Sequence, residues 1–199
     1  MRKKLSRSFY TREDVVAISR ELLGKFLVTK INGAVTAGMI TETEAYNGME
    51  DRASHAYNGR RTARTEIMYS AGGTAYVYLC YGIHHLFNIV TNKKSIPHAV
   101  LIRAIEPVDG IEMMMKRRKM KELSHRLTAG PGSMSRAVGI TTRHTGMNLS
   151  GNTIWVEDRG VYFNSDDIVS SERIGVEYAG EHAKRLWRFT VKGNQWMSK

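Results

Sequence analysis

Two stretches of this chain carry residue types able to do chemistry. Thr41-Glu42-Thr43-Glu44-Ala45-Tyr46 sets two carboxylates two positions apart, and Tyr76-Val77-Tyr78-Leu79-Cys80-Tyr81-Gly82 follows with three tyrosines. Between them lie His55 and the basic run Gly59-Arg60-Arg61-Thr62-Ala63-Arg64. Read as a strand, the first stretch turns Glu42 and Glu44 to one face. A carboxylate on a cleft-lining face is suited to general acid–base work; on an open face it is merely a solvated polar group. Neighbours on one strand cannot straddle a scissile bond as the paired carboxylates of an ordinary glycoside hydrolase do, so one working carboxylate is expected. In the second stretch Tyr76 and Tyr78 share a face, while Tyr81 falls on the other at the strand end, next to Gly82. Such rings can pack a core. They can also stack bases, at roughly 1–3 kcal/mol each, and one at a turn can wedge into a duplex. With arginines able to hold phosphates, the combination points to chemistry on a nucleic-acid base.

The elements that must position these residues fit one domain. At 199 residues and 42% hydrophobic content the chain can bury a sizeable core. Lys and Arg number 30 against 19 acidic residues, a formal net charge of +11, which attracts polyanions at long range. No apolar run is long enough to span a bilayer, Met1-Arg2-Lys3-Lys4-Leu5 lacks the apolar core of a signal peptide, and Cys80 is the single cysteine. A cytoplasmic, reducing location is expected, at the nucleoid if the source is bacterial, with no membrane partner. Thr11-Arg12-Glu13-Asp14 reads as a capping box opening a helix that Gly24 stops. Lys25–Ile31 and Ala34–Tyr46 read as strands joined at Asn32-Gly33, a strong hairpin signal. Residues 47–74 predict a long loop, functional or hiding a short helix. Strands are expected near 75–81, 84–91, 99–105, 153–157, 173–178 and 187–192, with helices over 107–121 and 133–138. The fold class is α+β: a single compact domain over 1–199 with a curved, mainly antiparallel sheet, flanking helices and a protruding β-hairpin.

Other motifs are weaker. His84 and His85 project to opposite strand faces, and the remaining histidines lack ligand spacing, so no metal and no cofactor is expected. Gly130-Pro131-Gly132-Ser133 leads into a helix whose start could take a phosphate, but a plain turn with Ser133 as N-cap is the favoured reading. Lys116-Arg117-Arg118-Lys119-Met120-Lys121 reads as an exposed helix face adding to the positive field.

Glu42-Thr-Glu44-Ala-Tyr46, His55, Tyr76-Val-Tyr78-Leu-Cys-Tyr81-Gly82 and Asn88, followed by Leu101-Ile-Arg103-Ala-Ile-Glu106-Pro107, Gly130-Pro131-Gly132, Arg173-Ile-Gly175-Val, Trp187-Arg-Phe189 and Gly193-Asn-Gln-Trp196, resemble the alkyladenine (3-methyladenine) DNA glycosylase family. The resemblance runs from about Leu22 to Trp196; residues 1–20 carry no diagnostic match. It implies a monofunctional, monomeric DNA glycosylase that flips alkylated or deaminated purines out of double-stranded DNA and leaves an abasic site. Glu44 would be the general base on water. Arg103 and the Ile174 carbonyl would position that water. Tyr46 and Tyr78 would sandwich the base, His55 would meet its 6-position edge, and Asn88 would reject guanine. Tyr81 would fill the gap in the duplex. Arg60 and Arg64 are phosphate-clamp candidates on charge and position. Two other classes use part of this set: a non-catalytic nucleic-acid-binding module, which gives Glu44 no task, and a small-nucleoside N-glycoside hydrolase, which gives +11 of charge no task.

Overall fold

A computed structural model describes residues 2–198. Its strands, all paired antiparallel, form one curled sheet in the order β1 (Lys3–Lys4), β7 (Ile154–Asp158), β2 (Phe26–Ile31), β3 (Ala34–Tyr46), β6 (His98–Asp109), β5 (His84–Thr91) and β4 (Thr74–Cys80). A side ladder joins β8 (Ile168–Ser171) to β9 (Arg188–Val191), and β9 pairs with β3. The helices α1 (Arg7–Tyr10), α2 (Val15–Glu21), α3 (Ile111–Arg118) and α4 (Pro131–Val138) flank the sheet. The main core gathers Ile18 of α2 and Leu22 just after it, Ile40 of β3, Phe87 of β5, Ile102 of β6 and Met134 of α4. No helix among the described residues is long and apolar enough to cross a membrane.

The expected β2–β3 hairpin is present, with Asn32 and Gly33 both at positive φ, 53° and 78°, as a two-residue primed turn requires. Other boundaries differ. Asp14, not Thr11, caps α2, its carboxylate accepting from the backbone N–H groups of Val16 and Ala17 at 2.9 Å each. The strand expected near 99–105 runs on to Asp109, so Pro107 lies in β6 instead of opening a helix. Its missing N–H is tolerated because it faces Gly38 beside a register shift in β3. The strand expected at 173–178 is absent: Gly175 turns the chain at φ +73°, a 3-10 turn covers Glu177–His182, and the local strand is β8. The long loop after β3 holds three 3-10 turns, Gly48–Glu50, Tyr57–Gly59 and Glu66–Tyr69.

β3 is the strand that positions the chemistry. Its first half lies between β2 and β6; Glu42, Thr43 and Glu44 then pair with β9 on one side and β6 on the other. The ladder slips between Ile40 and Glu42, and again before Thr43, where the neighbouring strand changes. Bulges of this kind re-aim side chains beside functional sites.

Candidate active site

A cleft of about 640 Å³ opens over β3, β4, β5 and β6, within the size range of small-ligand sites. Adjacent strands place its wall residues side by side: Tyr46 on β3, Tyr76 and Tyr78 on β4, Asn88 on β5, Leu101 and Arg103 on β6. The loop after β3 adds His55 and Arg64, and the segment after β8 adds Ile174 and Tyr178.

Beneath the cleft Glu42 and Glu44 have no exposed surface, so the solvated-face reading fails for both. Glu44 Oε1 accepts from the Ile174 backbone N–H at 2.8 Å and lies 3.1 Å from an Arg103 terminal nitrogen. Its Oε2 accepts from the Tyr46 hydroxyl at 2.8 Å. Ile174 thus presents its N–H, not its carbonyl, to Glu44. Glu42 serves different partners. Its Oε1 accepts from Arg103 Nε at 2.8 Å and from the Ser198 hydroxyl at 2.6 Å, and its Oε2 accepts from the Ser198 N–H at 2.6 Å. Arg188 Nε stands 3.1 Å from Glu42 Oε1 as an ion contact without hydrogen-bond alignment. Arg103 bridges the two carboxylates; burial works against its charge, but Glu44 and Glu42 outweigh that and raise its pKa. Burial, then the Glu44 charge, pushes the Tyr46 hydroxyl far up, so it stays a neutral donor.

A second buried ion pair supports this floor. Arg173 grips Asp51 through both terminal nitrogens, one bond at 2.9 Å, and donates to the carbonyls of Ala45 and His182 at 2.9 Å each. Its guanidinium lies 4.8 Å from the Tyr46 ring centroid. Asp51, Ser198 and Tyr178 have no place among the sequence-derived site residues. Asp51 and Arg173 are 122 positions apart and Ser198 is 156 from Glu42, with no spacing pattern to link them.

The aromatic wall is hydrogen-bonded too. His55 Nδ1 lies 2.8 Å from the Tyr76 hydroxyl, and its ring meets Tyr78 edge-on at 4.7 Å between centroids. Burial, then the charges of Arg64 and Arg60, lowers the His55 pKa to about 4, so the imidazole is neutral near pH 7. Arg64 donates to His55 Nε2 at 3.2 Å, which leaves the ring proton on Nδ1. The same guanidinium stands 4.8 Å from the Tyr78 centroid, facing into the cleft, whereas Arg60 is exposed and does not line it. Asn88 is nearly buried and donates to the carbonyls of Tyr76 and Leu86 at 3.3 Å each.

At the cleft rim β4 and β5 form a hairpin whose tip projects. Tyr81 is 90% exposed with φ +49°, and Gly82 follows at φ +72°. A bulky side chain at positive φ is a genuine outlier, costing on the order of 1–2 kcal/mol. Ile83 and Leu79 beside it are also exposed, giving the tip an apolar surface.

Residues 8–195 match the model of the methylpurine-DNA glycosylase family. A relative from Chlamydia felis (strain Fe/C-56), provisionally named 3-methyladenine DNA glycosylase, is 46% identical over 188 residues, covering 94% of this chain and 95% of its own. Relatives with the same provisional name are 46% identical over 204 residues in Clostridium perfringens (strain 13 / Type A) and 42% over 204 in Desulfitobacterium hafniense (strain Y51). Each of these two matches covers 98% of this chain, and 99% and 98% of the relative.

Proposed function

This chain belongs to the methylpurine-DNA glycosylase family, a group of hydrolases that cleave N-glycosyl bonds in DNA, and we propose that it excises alkylated and deaminated purines by base flipping. The observation that carries this reading is the buried Glu44 carboxylate, set under an aromatic cleft large enough for a purine. In the proposed step Glu44 takes a proton from water as the water oxygen bonds to C1′ and the N-glycosidic bond breaks. The bond's electron pair leaves with the base. An N3- or N7-alkylated purine is already cationic, so it departs neutral without a separate acid, whereas hypoxanthine departs as its N9 anion and takes a proton from solvent. Arg103 and the Ile174 N–H hold Glu44 in place for that attack.

Tyr46 and Tyr78 are the stacking faces, His55 meets the 6-position edge, and Asn88 crowds a guanine N2 amino group. A cationic purine and the Arg64 guanidinium cannot share the Tyr78 face. Arg64 therefore leaves as the base enters, and its exposed position lets it swing with Arg60 to backbone phosphate. Tyr81 fills the gap in the duplex. Damaged bases cost less to unpair, which adds selection before the pocket is reached. No cofactor is required, the protein acts as a monomer, and its place is the cytoplasm, at the nucleoid if the source is bacterial.

The test is release of free base from inosine-containing duplex, the matching single strand and free inosine. Release from the duplex supports the proposal. Release from the free nucleoside alone would make the protein a nucleoside hydrolase, and release from none of these or from alkylated duplex would leave a binding module.

A further inference from the structure

We propose that a second, basic depression beside the cleft is a phosphate-binding subsite for a backbone phosphodiester of the DNA flanking the flipped nucleotide; this rests on the glycosylase reading. The depression, of about 390 Å³, is lined by Arg118, His125, Arg126, Ala129, Ser133 and Met197. Ser133 lines the base cleft as well, so the two cavities meet at the first turn of α4. That turn lies close to the β4–β5 hairpin, since a Cβ on Gly132 would come within 2.8 Å of the His84 ring. Cleft, hairpin and depression therefore adjoin one another around the start of α4.

Among the described residues neither Arg118 nor Arg126 forms an ion pair with a carboxylate. A terminal nitrogen of Arg118 donates to the Arg126 carbonyl at 3.2 Å, which draws the two segments together instead of letting them separate. Among the described residues Arg118 Nε is buried with no acceptor. Burial, then the charges of Arg136 and Arg126, bears on the Arg118 guanidinium and lowers its pKa. The C-terminus of α3 favours cations and accounts for Lys116–Arg118. It also takes Arg136, whose Nε donates to the Arg117 carbonyl at 3.2 Å, but it does not account for Arg126, which comes from a separate segment. A simple solvated face would leave every donor in water, and Arg118 Nε is not in water. An oxyanion seated in the depression would offset the like charges of Arg118 and Arg126. Paired guanidiniums beside a serine hydroxyl suit the tetrahedral oxygens of phosphate. No side chain caps the start of α4, with Pro131 in its first turn, so that end adds a favourable dipole.

The experiment measures the affinity of undamaged labelled duplex by fluorescence anisotropy from 50 to 200 mM salt. The proteins are wild type, Arg126→Ala, the Arg118→Ala/Arg126→Ala double variant and Arg12→Ala. Arg12 is a control cation paired with Glu21 and lines neither cavity. One phosphodiester held here predicts that the double variant lowers the log–log salt slope by about 0.9, with Arg126→Ala accounting for part of it and Arg12→Ala leaving it unchanged. Arg126→Ala removes no hydrogen bond made by its own side chain, so it keeps the test valid should the double variant unfold. Equal slopes for wild type and Arg126→Ala, or a fall matched by Arg12→Ala, overturn the proposal. Thermal stabilisation by millimolar inorganic phosphate that requires Arg126, without any slope change, would assign a free anion and also overturn it. Wild-type excision of hypoxanthine is measured alongside. Excision with unaltered slopes sinks the subsite alone, and a slope change without excision sinks the glycosylase reading alone.

Discussion

On the cleft floor Glu42 and Glu44 are wholly buried, and Arg103, Ser198, Tyr46 and the Ile174 N–H all converge on them. At the β4–β5 tip Tyr81 keeps 90% of its surface in water on a backbone at φ +49°. The floor removes charge from solvent during folding and replaces water with fixed donors, so the groups around Glu44 are oriented before substrate arrives. The tip leaves apolar area unburied and retains backbone strain, both of which a partner surface can relieve. The contrast teaches where each kind of energy is held: preorganisation inside, unspent binding surface outside. It also separates the two glutamates. Glu44 sits under the cleft with Tyr46, whereas Glu42 is enclosed by Arg103, Arg188 and Ser198.

The sharpest way to break that distinction is substitution on the floor. Glu44→Gln keeps the shape but cannot accept the proton of water, so the single-turnover excision rate is expected to fall roughly 100- to 10,000-fold. Affinity for lesion-containing duplex should stay within about tenfold, because flipping and stacking do not use that proton. Glu42→Gln is expected to reduce the rate far less and to lower the melting temperature, since it weakens a buried ion pair. Equal rate losses from the two changes would show that the carboxylates work as a unit.

The wall between floor and tip should respond to pH. His55 titrates at about 4 when folded, below its ordinary value of 6.5. Between those values the unfolded chain binds a proton that the folded one does not, so stability falls as pH drops through that window and is unaffected above it. His55→Phe removes this contribution, and its denaturant midpoint should decline less than that of wild type from pH 6.5 to 4. Matching declines would mean that other groups set the acid sensitivity.

Asn88 and Arg103 entered only through the family resemblance, and the pairing of β3 with β6 that brings them beside Tyr46 carries no local signal. Strand alternation, in contrast, made Tyr76 and Tyr78 legible as one face, and the local signal at Asn32-Gly33 gave the β2–β3 hairpin. Arg173 illustrates the opposite case. Its neighbours suggest a strand, but its guanidinium is drawn to Asp51 across 122 positions and Gly175 turns the chain away. Ser198 on Glu42 is equally invisible, since a serine far along the chain carries no mark of its partner. Pro107 misled because proline opens helices more often than it sits in strands, and only the β3 register shift makes room for it. What was read correctly is local and periodic; what was missed depends on buried charges finding each other through the fold.

The smallest expected effect isolates the tip. Tyr81→Gly relieves the positive-φ strain, and glycine adopts such a backbone freely, so the free protein should gain on the order of 1 kcal/mol by equilibrium denaturation. The same change removes the ring that would fill the duplex gap. Excision from a well-paired lesion should therefore slow, while excision from a mismatched or single-stranded version of the same lesion changes little, because flipping there costs little. Tyr81→Ser separates the two contributions: it keeps a Cβ and most of the strain yet lacks the ring, so it should lose excision without the gain in stability. Tyr78→Ala is the counterpart inside the cleft and should slow all these substrates alike, since a stacked base loses roughly 1–3 kcal/mol wherever it came from. The readouts are single-turnover rates at saturating enzyme and the denaturation midpoint. A Tyr81→Gly protein that is less stable than wild type would mean that the tyrosine packs usefully in the free molecule. One that slows paired and mismatched lesions by the same factor would move Tyr81 from the wedge into the pocket.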